Sequence, residues 1–199
     1  MAKRGSKTLL AFGDVHVPHH HPVALEVLCR AAERIRPDVI VCLGDLLDCG
    51  QFSAYPPTWG MPQTEYLDDL NTACALLDRL QATCRRLVLL EGNHEYRLDR
   101  WAAATAEGRG AYSMLAPRLR LTHGRQCLYI PYGWSPGRIV EARSAGCVCR
   151  LVPLWGTGRP VDWVHAFVLG YLGRRSDTLY TVPILGRRCI LPDGTEVST

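Results

Sequence analysis

The chain has 199 residues, a formal charge of +4 and a sequence pI near 8.6, which is one domain's length and only mildly basic. That balance suits a phosphate-bearing substrate but lacks the clustered charge of a dedicated nucleic-acid binder. Nine cysteines, an odd number with no C-x-x-C pair, argue against a secreted disulfide framework or a zinc ribbon; reduced thiols in a cytoplasmic protein are expected, with no membrane insertion.

The first apolar run, Thr8-Leu9-Leu10-Ala11-Phe12, reads as a strand buried on both faces and breaks at Gly13-Asp14-Val15-His16. Three consecutive histidines, His19, His20 and His21, follow in a polar loop; one of them, His20, is a candidate phosphate contact. Pro22 suits the first helical position, and Ala24, Leu28, Ala31 and Ile35 recur on one helix face until Arg36-Pro37-Asp38. A second strand, Val39-Ile40-Val41-Cys42-Leu43, runs into Gly44-Asp45-Leu46-Leu47-Asp48. This β-α-β unit makes Asp14 and Asp45 neighbours at the carboxyl ends of parallel strands, where open α/β sheets bind ligands.

Residues 49–62 are rich in Gly, Pro, Ser and aromatic residues and read as a long loop over the strand ends. Tyr66, Leu70, Ala73, Leu77 and Leu80 mark a second amphipathic helix, and Leu87-Val88-Leu89-Leu90 a third strand ending at Gly92-Asn93-His94-Glu95. A third helix is expected from about 96 to 106. Beyond it, 126–130, 163–171, 178–185 and 188–191 read as strands separated by Pro, Gly and Asp turns, forming hairpins in a second layer.

Carboxylate, imidazole and carboxamide groups aimed at one point suit a borderline divalent ion such as Mn, Fe, Zn, Ni or Co. Asp14 and His16 suit one ion and Asn93 a second, with Asp45 as the bridge; two ions ~3.5–4 Å apart would clamp a phosphate and activate a water for phosphoester hydrolysis. His94, directly after Asn93, is placed for the leaving-group side, with Asp48 as partner to its other ring nitrogen. Arg97 reads either as a solvated helix charge or as a phosphate clamp. Glu95 reads as a supporting acid of the first helical turn, and the thiols of Cys147-Val148-Cys149 as packing groups.

The trio GDVH, GDLLD and GNHE resembles the calcineurin-like metallophosphoesterase superfamily, and the runs FSAYP and GNHEYRL are similar to its compact phage and bacterial members. The resemblance implies a truncated four-layer αββα sandwich in one domain, 1–199. Residues 8–134 hold the first three motifs, and 135–199 form a β-rich remainder. It implies Asp14, His16, Asp45 and Asn93 as metal ligands, often manganese, His94 as catalytic imidazole with Asp48 beside it, and phosphomonoesters or phosphodiesters, including nucleotides or nucleic acid, as substrates. The family's later G-H and G-H-x-H motifs have no counterpart here, as though a block were absent between about Arg138 and Arg143. That leaves three protein ligands for the first ion and two for the second, so a single-ion site and a catalytically dead binding or assembly module are the alternatives. His123 and His165 are the remaining candidates to substitute, with His165 read as a hydrogen-bonded core residue. Apolar strands exposed by the missing block would favour a homo-oligomer.

Overall fold

The computed structural model describes residues 7–54, 64–105, 121–122, 128–131, 139–150, 164–173 and 177–199. Strand β1 (Lys7–Phe12) runs parallel to β2 (Val39–Cys42), and β2 parallel to β3 (Arg86–Leu89). With every pairing parallel, all three strands end on the same side of the sheet, and their following turns meet there.

Helix α1 (Pro22–Ile35) starts where the sequence places it, with Pro22 at its first position and His21 Nδ1 accepting the Ala24 N–H at 3.1 Å. It ends at Arg36, which turns left-handed at φ 48° and donates its N–H to Ala32. Helix α2 (Tyr66–Gln81) buries Asp69, Ala73, Leu76 and Leu80. The expected stripe is therefore rotated: Leu76 is buried, Leu70 and Leu77 pack only partly against the core, and Asp69 is buried at the helix start. Asp69 is admitted because its Oδ2 accepts from Thr64 Oγ1 at 2.9 Å and Gln51 Nε2 at 2.8 Å, which also draws together the ends of the 49–64 loop. Within that loop a 3₁₀ turn spans Gly50–Phe52; residues 55–63 lie outside the described set. Helix α3 (Tyr96–Thr105) follows the third turn.

Strands β4 (Leu121–Thr122), β5 (Leu128–Pro131) and β6 (Ile139–Ser144) form a small sheet in the order β4-β6-β5. Strands β7 (Ala166–Leu172), β8 (Asp177–Leu185), β9 (Arg188–Ile190) and β10 (Glu196–Ser198) complete the larger one, β10-β9-β8-β7-β1-β2-β3. This corrects the expected second layer for the strands from 166 onward: β7 pairs antiparallel with β1, so β7 to β10 extend the first sheet, while β5 lies in the separate small sheet. Turn residues fix each hairpin locally, but the edge it joins is a non-local choice that a single sequence does not display.

One face of the sheet, carrying Leu10, Phe12, Ile40, Cys42, Phe167 and Leu169, packs against α1 and α2 in the main core. The other face meets a smaller cluster, in which Ala145, just after β6, joins Ala11, Leu43, Val168 and Leu179. The α/β class is as expected. Burial on both faces, expected of the first strand, holds for β1 and is not shared by β3. As the outermost of the described strands it leaves Leu89 exposed, and Leu90 just beyond it as well.

Candidate metal centre

The ladder between β1 and β2 continues into their turns. Asp14 N–H donates to the Gly44 carbonyl (3.2 Å), His16 to Asp45 (2.9 Å), Val17 to Leu46 (2.8 Å), and Asp48 back to Val17 (2.9 Å). To keep pairing while turning outward, Asp14, His16, Asp45 and Cys49 adopt left-handed backbone at φ 50–52°. Non-glycine residues hold such a conformation only where their surroundings over-determine it. Here those surroundings include 145–149, an extended segment in which Val148 N–H donates to the Asp14 carbonyl at 3.2 Å and Cys147 bridges to His165.

Asp14, His16, Asp45 and Asp48 are all buried, at 5, 2, 2 and 6% exposure. His16 Nε2 lies 3.5 Å from Asp14 Oδ1 and 3.9 Å from Asp45 Oδ2, while its Nδ1 lies 3.3 Å from Asp48 Oδ1. The His94 ring packs edge-on against His16 with centroids 4.3 Å apart. Its Nδ1 donates to the Asp48 carbonyl at 2.9 Å and sits 3.2 Å from Asp48 Oδ1. Arg97 spans the same pair, donating from Nη1 to the Asp48 carbonyl (2.9 Å) and from Nη2 to His94 Nε2 (3.0 Å). A guanidinium cannot accept, so His94 carries its proton on Nδ1.

Burial pulls the His16 imidazole down, but hydrogen bonds with Asp14 and Asp48 and the nearby charges outweigh it, and its pKa is pushed up to about 9. For Asp48 burial pushes upward, yet the two imidazoles beside it hold its carboxyl well below the usual carboxylate range. His19 and His20 are lowered first by burial, with Arg150 contributing in each case.

The structure thus brings Asp14, His16, Asp45, Asp48 and His94 into one cluster. Asn93, expected as a ligand, is exposed on the third turn. Arg97 stands at His94, whereas half-buried His20 bridges to Cys149 beside the 145–149 segment. His165 donates to the Cys149 carbonyl at 2.8 Å and lies tilted against the His21 ring, 4.6 Å between centroids; His123 lies outside the described residues. His16, Asp45 and His94 each offer a ligand atom within 4.8 Å of the others. Buried carboxylates facing imidazoles make a donor set that fits a borderline divalent cation.

A feature the motif pattern does not reveal is Glu95, whose carboxylate accepts the N–H groups of Asp45 (2.9 Å), Leu47 (2.8 Å) and Gly92 (2.9 Å). Its only sequence signal is its place in GNHE, at the start of a helix.

The calcineurin-like phosphoesterase family model matches residues 7–175. The chain belongs to that family. No curated protein matches its sequence significantly. Among solved structures it is similar to Vps29 from Chaetomium thermophilum, at 13% identity over 98% of this chain and 94% of that one, TM-score 0.44. The same protein complexed with a cyclic peptide aligns at 14% identity over 98% and 94%, TM-score 0.43. A single mutant of Vps29 from Entamoeba histolytica aligns at 17% identity over 96% and 99%, TM-score 0.41. The site stands at the carboxyl ends of parallel strands. No helix among the described residues is long and apolar enough to cross a membrane.

Proposed function

We propose that this phosphoesterase hydrolyses phosphomonoesters or phosphodiesters with a divalent cation, manganese being the first to test, held by Asp14, His16 and Asp45, with Asn93 as a further ligand. The observation that carries this reading is the convergence of buried carboxylates and imidazoles from the first two turns with His94 from the third. A bound cation supplies Lewis acidity toward the phosphoryl oxygens and makes water a competent nucleophile near neutral pH. The chain's own residues do the rest. Asp48 holds His94 by its Nδ1 proton, so Nε2, which accepts the Arg97 N–H, takes up a proton as Arg97 turns to the phosphate and then passes it to the leaving oxygen. Arg97, already at Nε2, is the group whose charge meets the phosphate and steadies it. His20 stands further out along the 145–149 segment as a secondary phosphate contact.

A second reading, a phosphoesterase fold kept as a binding module, is favoured by one observation. The later G-H and G-H-x-H motifs are missing, and His165, a candidate replacement, is committed to the Cys149 carbonyl. Hydrolysis of mono- and bis-p-nitrophenyl phosphate across a manganese titration decides between them, with Asp45→Asn as control. The enzyme reading expects metal-dependent turnover that falls at least ~100-fold in the variant. Metal binding by calorimetry with turnover no higher than in Asp45→Asn supports the binding module.

A further inference from the structure

Glu95 accepts backbone N–H groups from two turns that are distant in sequence. Its bond to Gly92 is local, but those to Asp45 and Leu47 span 50 and 48 residues, one on each carboxylate oxygen. Convergent N–H groups in a left-handed turn form an anion-binding concavity; in this chain the anion is an internal carboxylate. The Asp45 side chain returns the contact, with Oδ1 accepting the His94 N–H at 2.9 Å, so Oδ2 is the oxygen presented at 3.9 Å to His16 Nε2. No room remains between the turns. A Cβ on Gly92 would stand 2.1 Å from Asp45 Oδ1 and 2.8 Å from Glu95 Oε2, and one on Gly44 would stand 2.6 Å from the Gly92 Cα.

We infer that Glu95 is a positioning residue for Asp45. Its carboxylate fixes the left-handed backbone of the GDLLD turn against the GNHE turn, and so sets how tightly a cation is held rather than how fast the ester is cleaved once it is held. The cation part of this rests on the reading of Asp45 as a ligand; the backbone part stands without it.

Glu95→Gln tests both, because it keeps the shape while replacing one acceptor oxygen with an NH₂ that faces N–H donors. In the metal-free full chain, amide hydrogen exchange at Asp45, Leu47 and Gly92 should accelerate together by roughly tenfold or more, while Leu10 in β1 keeps its protection. In a manganese titration of p-nitrophenyl ester hydrolysis, the apparent metal affinity should weaken ~10–100-fold, with turnover at saturating metal changed less than about threefold. Glu95→Asp keeps the charge with a shorter reach, and should recover part of the affinity. Unchanged exchange at the three amides overturns the inference, as does a fall in saturated turnover at unchanged metal affinity. If the wild-type chain binds no manganese, the proposed function fails, and the exchange result alone decides whether Glu95 braces the turns.

Discussion

β1 and β3 are close to interchangeable as sequence, TLLAF against LVLL, and both run into a glycine-led motif. Leu10, Ala11 and Phe12 are nevertheless wholly inaccessible, whereas Leu89 and Leu90 remain 50% and 45% exposed. β1 is flanked by β2 and β7, while among the described strands β3 pairs with β2 alone. Burial is thus conferred by position in the sheet, which is a non-local property, and it passes on to the turns. The turn after β1 is clasped by the β2 turn on one side and by Val148 on the other, and Asp14 and His16 are buried with it. The turn after β3 is attached through Glu95 and Asp45 and leaves Asn93 exposed.

The largest effect expected from this contrast is on stability. Leu10→Ala removes a side chain in full contact on every side and should cost about 2–5 kcal/mol, whereas Leu89→Ala at the outer strand should stay within about 0.5 kcal/mol. Paired denaturant titrations measure both. Equal losses would mean that β3 is covered as completely as β1.

That contrast also marks how far the sequence was readable. The extents of α1, α2 and α3 and the three glycine-led turns are local matters of capping, period and turn chemistry, and the structure places them within a residue or two of expectation. Asp14, His16, Asp45, Asp48 and His94 are drawn together because consecutive parallel strands must end on one side, which motif order already implies. Not legible were the edge position of β3, the union of β7 to β10 with the first sheet, and β6 and β10, to which the sequence reading assigns no strand. Whereas β6 and β10 form short hairpins with β5 and β9, the first two depend on which strands pair across long separations. The triple role of Glu95 was hidden for the same reason, since two of its three bonds reach back across 48 and 50 residues.

The second effect separates the two turns by pH. His16 belongs to the buried β1 turn, and its pKa is pushed up to about 9 in the metal-free chain, against 6.5 for an ordinary histidine. A group whose folded pKa is raised contributes stability that is fully present below its unfolded value and is lost as pH rises through its folded one. Metal-free protein should therefore lose on the order of 3 kcal/mol between about pH 6 and pH 10, and His16→Gln should flatten that slope. Asp48 acts in the opposite direction: its carboxyl is held low, so its contribution is present above the ordinary carboxylate range and is lost as pH falls through its lowered value. Denaturation midpoints in EDTA across this range check the sign. A bound cation reverses the alkaline limb, since His16 must be deprotonated to act as a ligand; raising the pH toward 9 should then tighten metal binding while it weakens the empty fold.

The smallest expected effect acts where the two turns touch. Gly92→Ala would ordinarily be neutral or mildly stabilising in a backbone conformation open to alanine, because it narrows the unfolded ensemble. Here the added Cβ would meet the Asp45 backbone nitrogen at 2.3 Å as well as its Oδ1 at 2.1 Å, and backbone cannot swing aside as a side chain can. The turns must separate, at a cost of about 1–3 kcal/mol of the kind seen on overpacking. The damage should also be confined, with the Asp45–Glu95 and His94–Asp45 bonds weakened together while the Asp14–Gly44 bond of the β1 turn survives. Because Gly92→Ala and Glu95→Gln disrupt one shared contact, their double variant should cost clearly less than the sum of the two, and a double-mutant cycle on metal affinity measures the shortfall. Strict additivity would mean that the edge turn is held by something other than Glu95.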